Sequence, residues 1–242
     1  MQVLVIPDVH LKPWMFSAAA ALLSGGEADL AVCLMDLPDD WRQEYNLTLY
    51  EETFDAAISF AKTFPDTLWC YGNHDVCYLW NQRESGYSPI APRLVCEKLG
   101  ELREALPDPR QLAFIHRIDR VLFMHGGLSE AFLRKYIPMR YWDDPDEIVA
   151  QINRFGYTQL WQDESPLWYR PQYYDGAMYA QGDILQVVGH TPVESIAQTG
   201  NVISCDVFST DSGQKPIGTE EFLRIDTRSG FFTGIPGRGI RI

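Results

Sequence analysis

Several features of membrane and secreted proteins are missing from this sequence. Its longest apolar runs, such as Gln2–Pro7 and Ala18–Leu23, fall far short of the ~20 residues that a membrane span requires. No basic stretch leads into an apolar segment at the start of the chain, so we expect neither a secretory signal nor a membrane anchor. We therefore expect a cytoplasmic protein.

Cysteine is scarce, and its pattern does not suggest disulfides. The five cysteines are odd in number and form no Cys-x-x-Cys pair. They are Cys33, Cys70, Cys77, Cys96 and Cys205. Three of them lie in apolar, strand-like segments, which is typical of reduced, buried thiols. This pattern excludes a disulfide scaffold.

Positive charge is also in short supply. The chain has 20 Lys and Arg against 33 Asp and Glu, for a net charge of -13. Such a balance argues against a general nucleic-acid or anionic-membrane binder. The glycine-rich nucleotide loops GxGxxG and GxxxxGK[ST] are absent, as are the hydrolase motifs GxSxG and HExxH.

Apolar segments alternate with helical patterns in the first third of the chain. Strands are predicted at Gln2–Ile6, Leu30–Leu34 and Thr67–Tyr71, with helices at Trp14–Leu23 and Glu44–Phe64 between them. This βαβαβ order predicts an α/β fold. Later strands are predicted at Leu112–Ile118, Arg120–Met124, Gln186–Gly189, Asn201–Cys205 and Glu221–Ile225, and the first two of these would form a hairpin.

Residues 131–180 differ in character from the rest of the chain. They hold twelve aromatic residues in fifty positions, against 13% aromatic residues in the whole sequence. We interpret this stretch as an insertion or lid within a single domain of residues 1–242. Packing is the simpler role for its aromatic side chains, and stacking on a nucleobase is the alternative.

Polar residues suited to metal binding follow the predicted strands. Asp8 and His10 follow the first strand, Asp36 and Asp39 the second, Asn73, His74 and Asp75 the third, and His125 and His190 two later strands. The carboxyl ends of strands converge in open α/β sheets, so these side chains can meet. Carboxylate, amide and imidazole ligands together suit Mn, Fe or Zn. Their number favours two ions that share a bridging carboxylate.

Five short motifs occur in an order that resembles a known family. They are Asp8-Val-His10, Asp36-Leu-Pro-Asp39, Gly72-Asn-His-Asp75, His125-Gly-Gly127 and Gly189-His-Thr-Pro192. Together they resemble the calcineurin-like metallophosphoesterases, and most of all the bacterial and phage branch of serine/threonine phosphatases and diadenosine tetraphosphatases. The resemblance implies a four-layer αββα sandwich, in which two mixed sheets are flanked by helices.

The resemblance also implies a role for each site residue. Asp8 and His10 would bind the first metal ion, Asp36 would bridge both ions, and Asn73, His125 and His190 would bind the second. His74 would donate a proton to the leaving group. Asp39 would orient it, with Asp40 as the alternative partner. Arg170, in Pro166-Leu-Trp-Tyr-Arg170, would contact phosphate.

The sequence departs from the family pattern at four positions. Met35 stands where glycine usually precedes the bridging Asp, which suggests a slightly different turn. Asp40 and Tyr71 replace two arginines of the protein-phosphatase branch, so protein-phosphatase activity is in doubt. Pro192 replaces the second His of the phosphodiesterase GHxH, which favours the phosphatase side and leaves the first ion only three protein ligands.

Three further polar residues are not assigned to metal binding or catalysis by the sequence. Asp75 is expected to make hydrogen bonds rather than to bind metal. Asp206 follows a strand near the expected site, and a structural role is as plausible as a functional one. His116 is assigned to the structure.

The sequence thus predicts a metal-dependent phosphoesterase. A hydroxide held by two divalent ions, Mn²⁺ first and Fe or Zn as alternatives, would attack a phosphomonoester or a nucleoside polyphosphate directly. The expected partner is a small phosphorylated substrate, with nucleotides among the candidates. A phosphodiesterase and a catalytically silent metal-binding protein are the alternatives.

Overall fold

Short apolar strands, buried on both faces, form the centre of the protein. The computed structural model describes residues 1–180 and 183–237. Its strands are β1 (Gln2–Ile6), β2 (Leu30–Cys33), β3 (Leu68–Cys70), β4 (Leu112–Ala113), β5 (Ile115–Ile118), β6 (Val121–Met124), β7 (Leu185–Val188), β8 (Ala197–Thr199), β9 (Val202–Ser204), β10 (Glu221–Asp226) and β11 (Phe232–Pro236).

Helices cover the outer faces of the strands. They are α1 (Trp14–Ser24), α2 (Leu47–Thr63), α3 (Asn73–Leu79), α4 (Pro92–Ala105), α5 (Glu130–Tyr136), α6 (Pro145–Ile152) and α7 (Tyr157–Leu160). Short 3-10 turns occur at Pro109–Gln111 and Met139–Tyr141. Among the described residues, no helix combines the length and the apolar composition that crossing a bilayer demands.

The strands form two mixed sheets. The first has the order β11-β10-β1-β2-β3-β4, in which β1 to β4 run parallel and β10 is antiparallel to both of its neighbours. The second has the order β5-β6-β7-β9-β8, in which β6, β7 and β9 run parallel. At the two edges of this sheet, β5 is antiparallel to β6 and β8 is antiparallel to β9.

Alternation along the strands builds the layers. In β1, Val3 and Val5 belong to the apolar core shared by the two sheets, whereas Leu4 and Ile6 pack in the core that includes α1 and α2. Successive side chains of a strand point to opposite faces, so a strand covered on both sides must be apolar throughout. A third core packs α5 and α6 on the second sheet. The predicted sandwich of two mixed sheets flanked by helices is confirmed.

One predicted strand is divided between the two sheets. The prediction treated Leu112–Ile118 as a single strand, but β4 pairs with β3 in the first sheet and β5 pairs with β6 in the second. The chain changes sheets at Phe114, which lies between β4 and β5. An apolar run does not reveal which sheet each part joins, so the break could not be seen. The hairpin of β5 and β6 around Asp119 is as predicted.

The segment Gly72–Asp75 is the start of a helix rather than a simple exit turn. Gly72 caps α3, and the Asp75 carboxylate accepts a hydrogen bond from the Gly72 N–H at 2.9 Å. An acidic residue in the first turn also complements the positive end of the helix dipole. The sequence prediction did not include α3, or α4 further on.

The aromatic-rich residues 131–180 contain α6 and α7 and most of α5. Phe132 and Tyr179 are buried against the second sheet, whereas Tyr173 and Tyr174 are exposed. Much of this stretch therefore packs, and its role as an insertion or lid stays a prediction. The five cysteines are free thiols, and four of them are buried.

His116 connects the two sheets. Its Nε2 lies 3.2 Å from the backbone oxygen of Trp69, next to the end of β3, and 3.0 Å from that of Gln111. Both partners are acceptors, so Nε2 carries the hydrogen and donates it. Burial lowers the pKa of His116 below 6.5, although the two hydrogen bonds oppose the shift.

We predict that His116 makes the protein sensitive to acid. Below pH 6.5 the unfolded chain protonates this imidazole more readily than the folded protein does, so stability falls as the pH decreases. In His116→Gln this contribution is absent. The stability advantage of wild type should therefore shrink between about pH 7.5 and 5.5, by up to about 1.4 kcal/mol per pH unit. Urea unfolding measures it, and a difference that is independent of pH would contradict the prediction.

Candidate metal centre

The chain segments that follow parallel strands of both sheets meet at one end of the fold. Strands β1, β2 and β3 lead into Asp8, Asp36 and Asn73, while β6 and β7 lead into His125 and His190. Parallel strands present their carboxyl ends at the same edge. Two sheets therefore deliver their polar residues to one place.

Backbone hydrogen bonds join these loops. The N–H of Val9 donates to the Met35 oxygen at 3.0 Å, and the N–H of His10 donates to the Asp36 oxygen at 2.8 Å. In the second sheet, the N–H of Gly189 donates to the oxygen of residue 125 at 2.9 Å. The parallel pairing thus continues beyond the strand ends and fixes the spacing of the polar side chains.

Several residues of these loops adopt the left-handed backbone conformation. Their φ angles are 43° for His10, 57° for Met35, 42° for Asp36, 64° for Asp39 and 64° for His190. Such conformations cost of order 1–3 kcal/mol each and persist where the surroundings impose them. Met35 is fully buried, so a side chain occupies a backbone position that glycine would adopt more easily.

Electron-donating atoms crowd around His125. Its Nε2 lies 3.1 Å from Asp36 Oδ2, 3.0 Å from Asn73 Oδ1 and 3.1 Å from His190 Nδ1. His125 Nδ1 lies 3.1 Å from the backbone oxygen of Leu34 and must donate there, which leaves a lone pair on Nε2. Lone pairs that face one another need a cation between them, so this group fits a metal ion.

A second group of donors shares the same Asp36. Ligand atoms of Asp8, His10 and Asp36 lie within 4.8 Å of one another, as do those of Asp36, His125 and His190. The Nδ1 of His10 donates to the backbone oxygen of Asp39 at 2.8 Å, so its Nε2 carries no hydrogen and can offer its lone pair to a metal ion. Asp8 Oδ1 accepts the N–H of His190 at 2.8 Å, whereas its buried Oδ2 has no hydrogen-bond partner among the described residues.

Burial and like charges make the ionised Asp8 carboxylate costly without a cation. Burial raises the pKa of Asp8 well above its usual range, and the charges of Asp206 and Asp36 raise it further. Burial opposes the ionisation of Asp36 as well, but protonated His125 and His74 would outweigh it, and together they lower the Asp36 pKa. A metal ion would take the place of the proton on His125 Nε2. Divalent cations would neutralise this buried charge. The donor set therefore fits two ions that share Asp36.

Burial keeps His190 in the neutral form that binds metals. It lowers the pKa of His190 well below 6.5, and the charges of His125 and Arg170 act in the same direction. Metal ligands must be deprotonated, so a low pKa favours binding.

Two glycines pack directly on the ligand carboxylates. A methyl group on Gly72 would overlap the side chain of Asp36, and one on Gly189 would overlap that of Asp8. Only a residue without a side chain lets the loops after β3 and β7 approach so closely. The sequence prediction used both glycines as parts of motifs but did not foresee this contact.

Asp75 organises the backbone around Asp36, in line with its expected hydrogen-bonding role. Its carboxylate accepts hydrogen bonds from the N–H groups of Asp36 at 2.9 Å, Leu37 at 3.1 Å and Gly72 at 2.9 Å. Burial, with the Asp36 charge in addition, raises the pKa of Asp75 to about 7, although the Gly72 and Leu37 N–H groups oppose the shift.

His74 pairs with Asp39 and not with Asp40. The Nδ1 of His74 donates to Asp39 Oδ2 at 2.9 Å. Burial favours the neutral imidazole, but the charge of Asp36 and the hydrogen bond to Asp39 outweigh it and raise the His74 pKa to about 9. Asp40 instead lies 3.3 Å from Lys12 Nζ and accepts the hydroxyl of Thr210 at 2.8 Å.

Two tyrosines that the sequence prediction missed hold Asp39 from behind. The hydroxyl of Tyr50 on α2 donates to Asp39 Oδ1 at 2.7 Å, and that of Tyr78 on α3 donates to the same oxygen at 2.5 Å. Tyr78 follows His74 by four residues, so both lie on one face of α3. That spacing was a readable signal. The contact of Tyr50 depends on how α2 packs against the loop that carries Asp39, and no sequence pattern indicated it.

Arg170 reaches the centre from the aromatic-rich region. Its Nη1 donates to the backbone oxygen of His190 at 2.7 Å and lies 3.2 Å from Thr191 Oγ1. The segment before it is tied to the loop after β6, because the N–H groups of Gly126 and Gly127 donate to the oxygens of residues 166 and 169 at 2.7 and 2.9 Å. Tyr71, in contrast, packs on Phe114 and does not line the cleft described next.

A cleft of about 160 Å³ opens at this centre. Its walls include His10, Asp36, His74, Arg170, His190 and Asp206. The structure therefore brings every predicted site residue to one region, either in the wall of the cleft or directly behind it. Their individual roles stay predictions.

Comparisons with known proteins place this geometry in a wider context. The family model for calcineurin-like phosphoesterases matches residues 1–221. A cold-active protein-tyrosine phosphatase of the psychrophile Shewanella sp. is similar in structure, with a TM-score of 0.54 and 18% identity over 96% of this chain and 80% of that one. A hypothetical protein of Pyrococcus horikoshii OT3 is similar with a TM-score of 0.51 and 14% identity over 97% of this chain and 87% of that one. No curated protein matches the sequence.

The glycine contacts lead to a prediction about metal binding. Gly72→Ala and Gly189→Ala should each displace a ligand carboxylate and weaken Mn²⁺ binding, by roughly 10–100-fold as for changes that misorient ligands. Isothermal titration calorimetry measures the affinity. Gly100→Ala is the matched control, because a methyl group there meets nothing within 4 Å. Equal affinities in all three variants would refute the prediction.

Proposed function

The chain belongs to the calcineurin-like phosphoesterase family, and from that premise we propose that it hydrolyses a phosphomonoester or a nucleoside polyphosphate with the help of two divalent metal ions. Mn²⁺ is the proposed metal, with Fe or Zn as alternatives, because carboxylate, amide and imidazole ligands suit these ions. The proposed partner is a small phosphorylated molecule and not a nucleic acid, in keeping with the net charge of -13.

One observation carries this proposal. The two groups of metal-capable donors share Asp36, and they lie in the same cleft as His74 and Arg170. A shared carboxylate would hold two ions close enough together to act on one phosphoryl group. A proton donor and a guanidinium beside it supply the remaining functions.

The metal ions, when bound, would lower the pKa of water and neutralise charge on the phosphoryl group. Asp8 and His10 would hold one ion, Asn73, His125 and His190 the other, and Asp36 both. The lone pairs of His10 and His125 are already directed by the hydrogen bonds of their Nδ1 atoms. These residues thus orient the site before a substrate arrives.

His74 is the proposed proton donor to the leaving group. Its Nδ1 is engaged with Asp39, so the other ring nitrogen is available to a substrate in the cleft. Tyr50 and Tyr78 fix the orientation of Asp39 and, through it, that of the imidazole. A correctly oriented acid contributes about 10²–10⁴-fold to a rate.

Arg170 is the proposed phosphate-binding residue. Its Nη1 is held by His190 and Thr191, which leaves its other N–H groups for phosphate oxygens. A guanidinium can bind two such oxygens at once. Pro192 lines the cleft where the phosphodiesterase branch has a second His, and this supports a monoester as substrate.

An assay with two matched substrates tests the proposed function. Wild type with added Mn²⁺ should hydrolyse phenyl phosphate faster than the methyl phenyl diester, and Asp36→Asn should lose nearly all of this activity because it changes the shared ligand. Faster turnover of the diester would favour a phosphodiesterase. Activity on neither substrate, with metal bound, would favour a silent metal-binding protein.

The role of His74 predicts a dependence on the leaving group. His74→Gln should lower kcat for phenyl phosphate by about 10²–10⁴-fold, and much less for 2,4-dinitrophenyl phosphate, whose leaving group needs no proton. Tyr78→Phe should show the same pattern in weaker form. His116→Gln is the matched control, since it changes a buried histidine outside the cleft. An equal loss on both substrates would contradict the assignment of His74 as an acid.

A further inference from the structure

A further carboxylate lies beside the first group of donors. Asp206 follows β9 just as Asp8 follows β1, and it is 1% exposed. Its side chain lies in the wall of the same cleft, and the charged groups that act on it include His10, His125 and Lys12. Its own charge acts in turn on Asp8.

One oxygen of this carboxylate is left without a hydrogen bond. Asp206 Oδ1 is buried and has no partner among the residues that the structure describes. The Ser209 hydroxyl lies close to the carboxylate, yet its oxygen also lacks a well-formed hydrogen bond there. A buried, unpaired carboxylate oxygen is costly, so its presence points to a ligand.

The first group of donors has room for another contribution. Asp8, His10 and Asp36 supply one ligand atom each, whereas Mn²⁺ prefers six. Position 192 is a proline and supplies no donor side chain. No oxygen of Asp206 belongs to the close group, so its contribution differs from that of the three ligands.

We propose that Asp206 is an additional carboxylate of the first metal site, which strengthens binding of a divalent cation through its charge and its unpaired oxygen rather than as one of the three close ligands. The inference rests on the proposed function, because that function places an ion at Asp8, His10 and Asp36. It assigns a task to a residue outside the six predicted ligands.

The proposal has a consequence whose sign depends on the metal. Without ions, Asp206, Asp8 and Asp36 are three carboxylates that repel one another in a buried place. Asp206 should then destabilise the folded protein. With ions bound, the same charge is attracted to the cation, so Asp206 should then stabilise the folded protein. If Asp206 had a purely structural role, its effect on the stability of the folded protein would have the same sign with and without metal ions.

The variant Asp206→Asn removes the charge and keeps the shape. We expect isothermal titration calorimetry of chelator-treated protein to show one of two Mn²⁺ ions bound about 10–100-fold more weakly. In thermal unfolding, the metal-free variant should melt above metal-free wild type, and Mn²⁺ should raise its melting temperature less. Asp206→Glu, which keeps the charge, should retain more of the affinity than Asp206→Asn.

Asp66→Asn is the matched control, because it removes one exposed carboxylate just before β3, at the opposite edge of the sheet. It should leave both affinities unchanged.

If wild type binds two Mn²⁺ ions and Asp206→Asn binds both as tightly, the inference is wrong and the proposed function stands. If wild type binds no Mn²⁺, the proposed function fails and the inference fails with it. If Asp206→Asn melts below wild type by the same amount with and without Mn²⁺, the residue is structural and the inference is overturned.

Discussion

Buried negative charge is the constraint on which this structure depends. Asp8, Asp36, Asp75 and Asp206 are each at most 1% exposed and lie at one end of two sheets. Charges in such a place must be paired, hydrogen-bonded or neutralised by a cation. Asp75 is satisfied by three backbone N–H groups. Asp36 accepts the backbone N–H of His74 with Oδ1, while its Oδ2 lies 3.1 Å from His125 Nε2. Asp75 therefore supports the backbone of the loop, whereas Asp36 is a candidate metal ligand.

The backbone is built to keep that arrangement rigid. Left-handed residues, hydrogen bonds between loops and two glycines without room for a methyl group all act on the same few ligands. Each device costs conformational freedom or local strain, and the well-packed sheets supply the stability that tolerates it. The candidate ligands are consequently oriented by the fold itself.

The sequence was most informative where chain direction decides position. Parallel strands place their ends together, so Asp8, Asp36 and Asn73 could be expected to meet from their order alone. Where position depends on how a helix packs against a loop, the sequence carried no signal, as for the hydroxyl of Tyr50 on Asp39. The division of Leu112–Ile118 between two sheets was hidden as well, because the residues from Leu112 to Ile115 are apolar without interruption across the break.

The division of ligands between the sheets has one more consequence. Asp8, His10, Asp36 and Asn73 extend from the first sheet, whereas His125 and His190 extend from the second. An ion held by both sets would connect the two sheets of the sandwich. Loss of that ion would weaken the contact between the two sheets. Dissociation of the ion and unfolding of the chain should therefore be coupled.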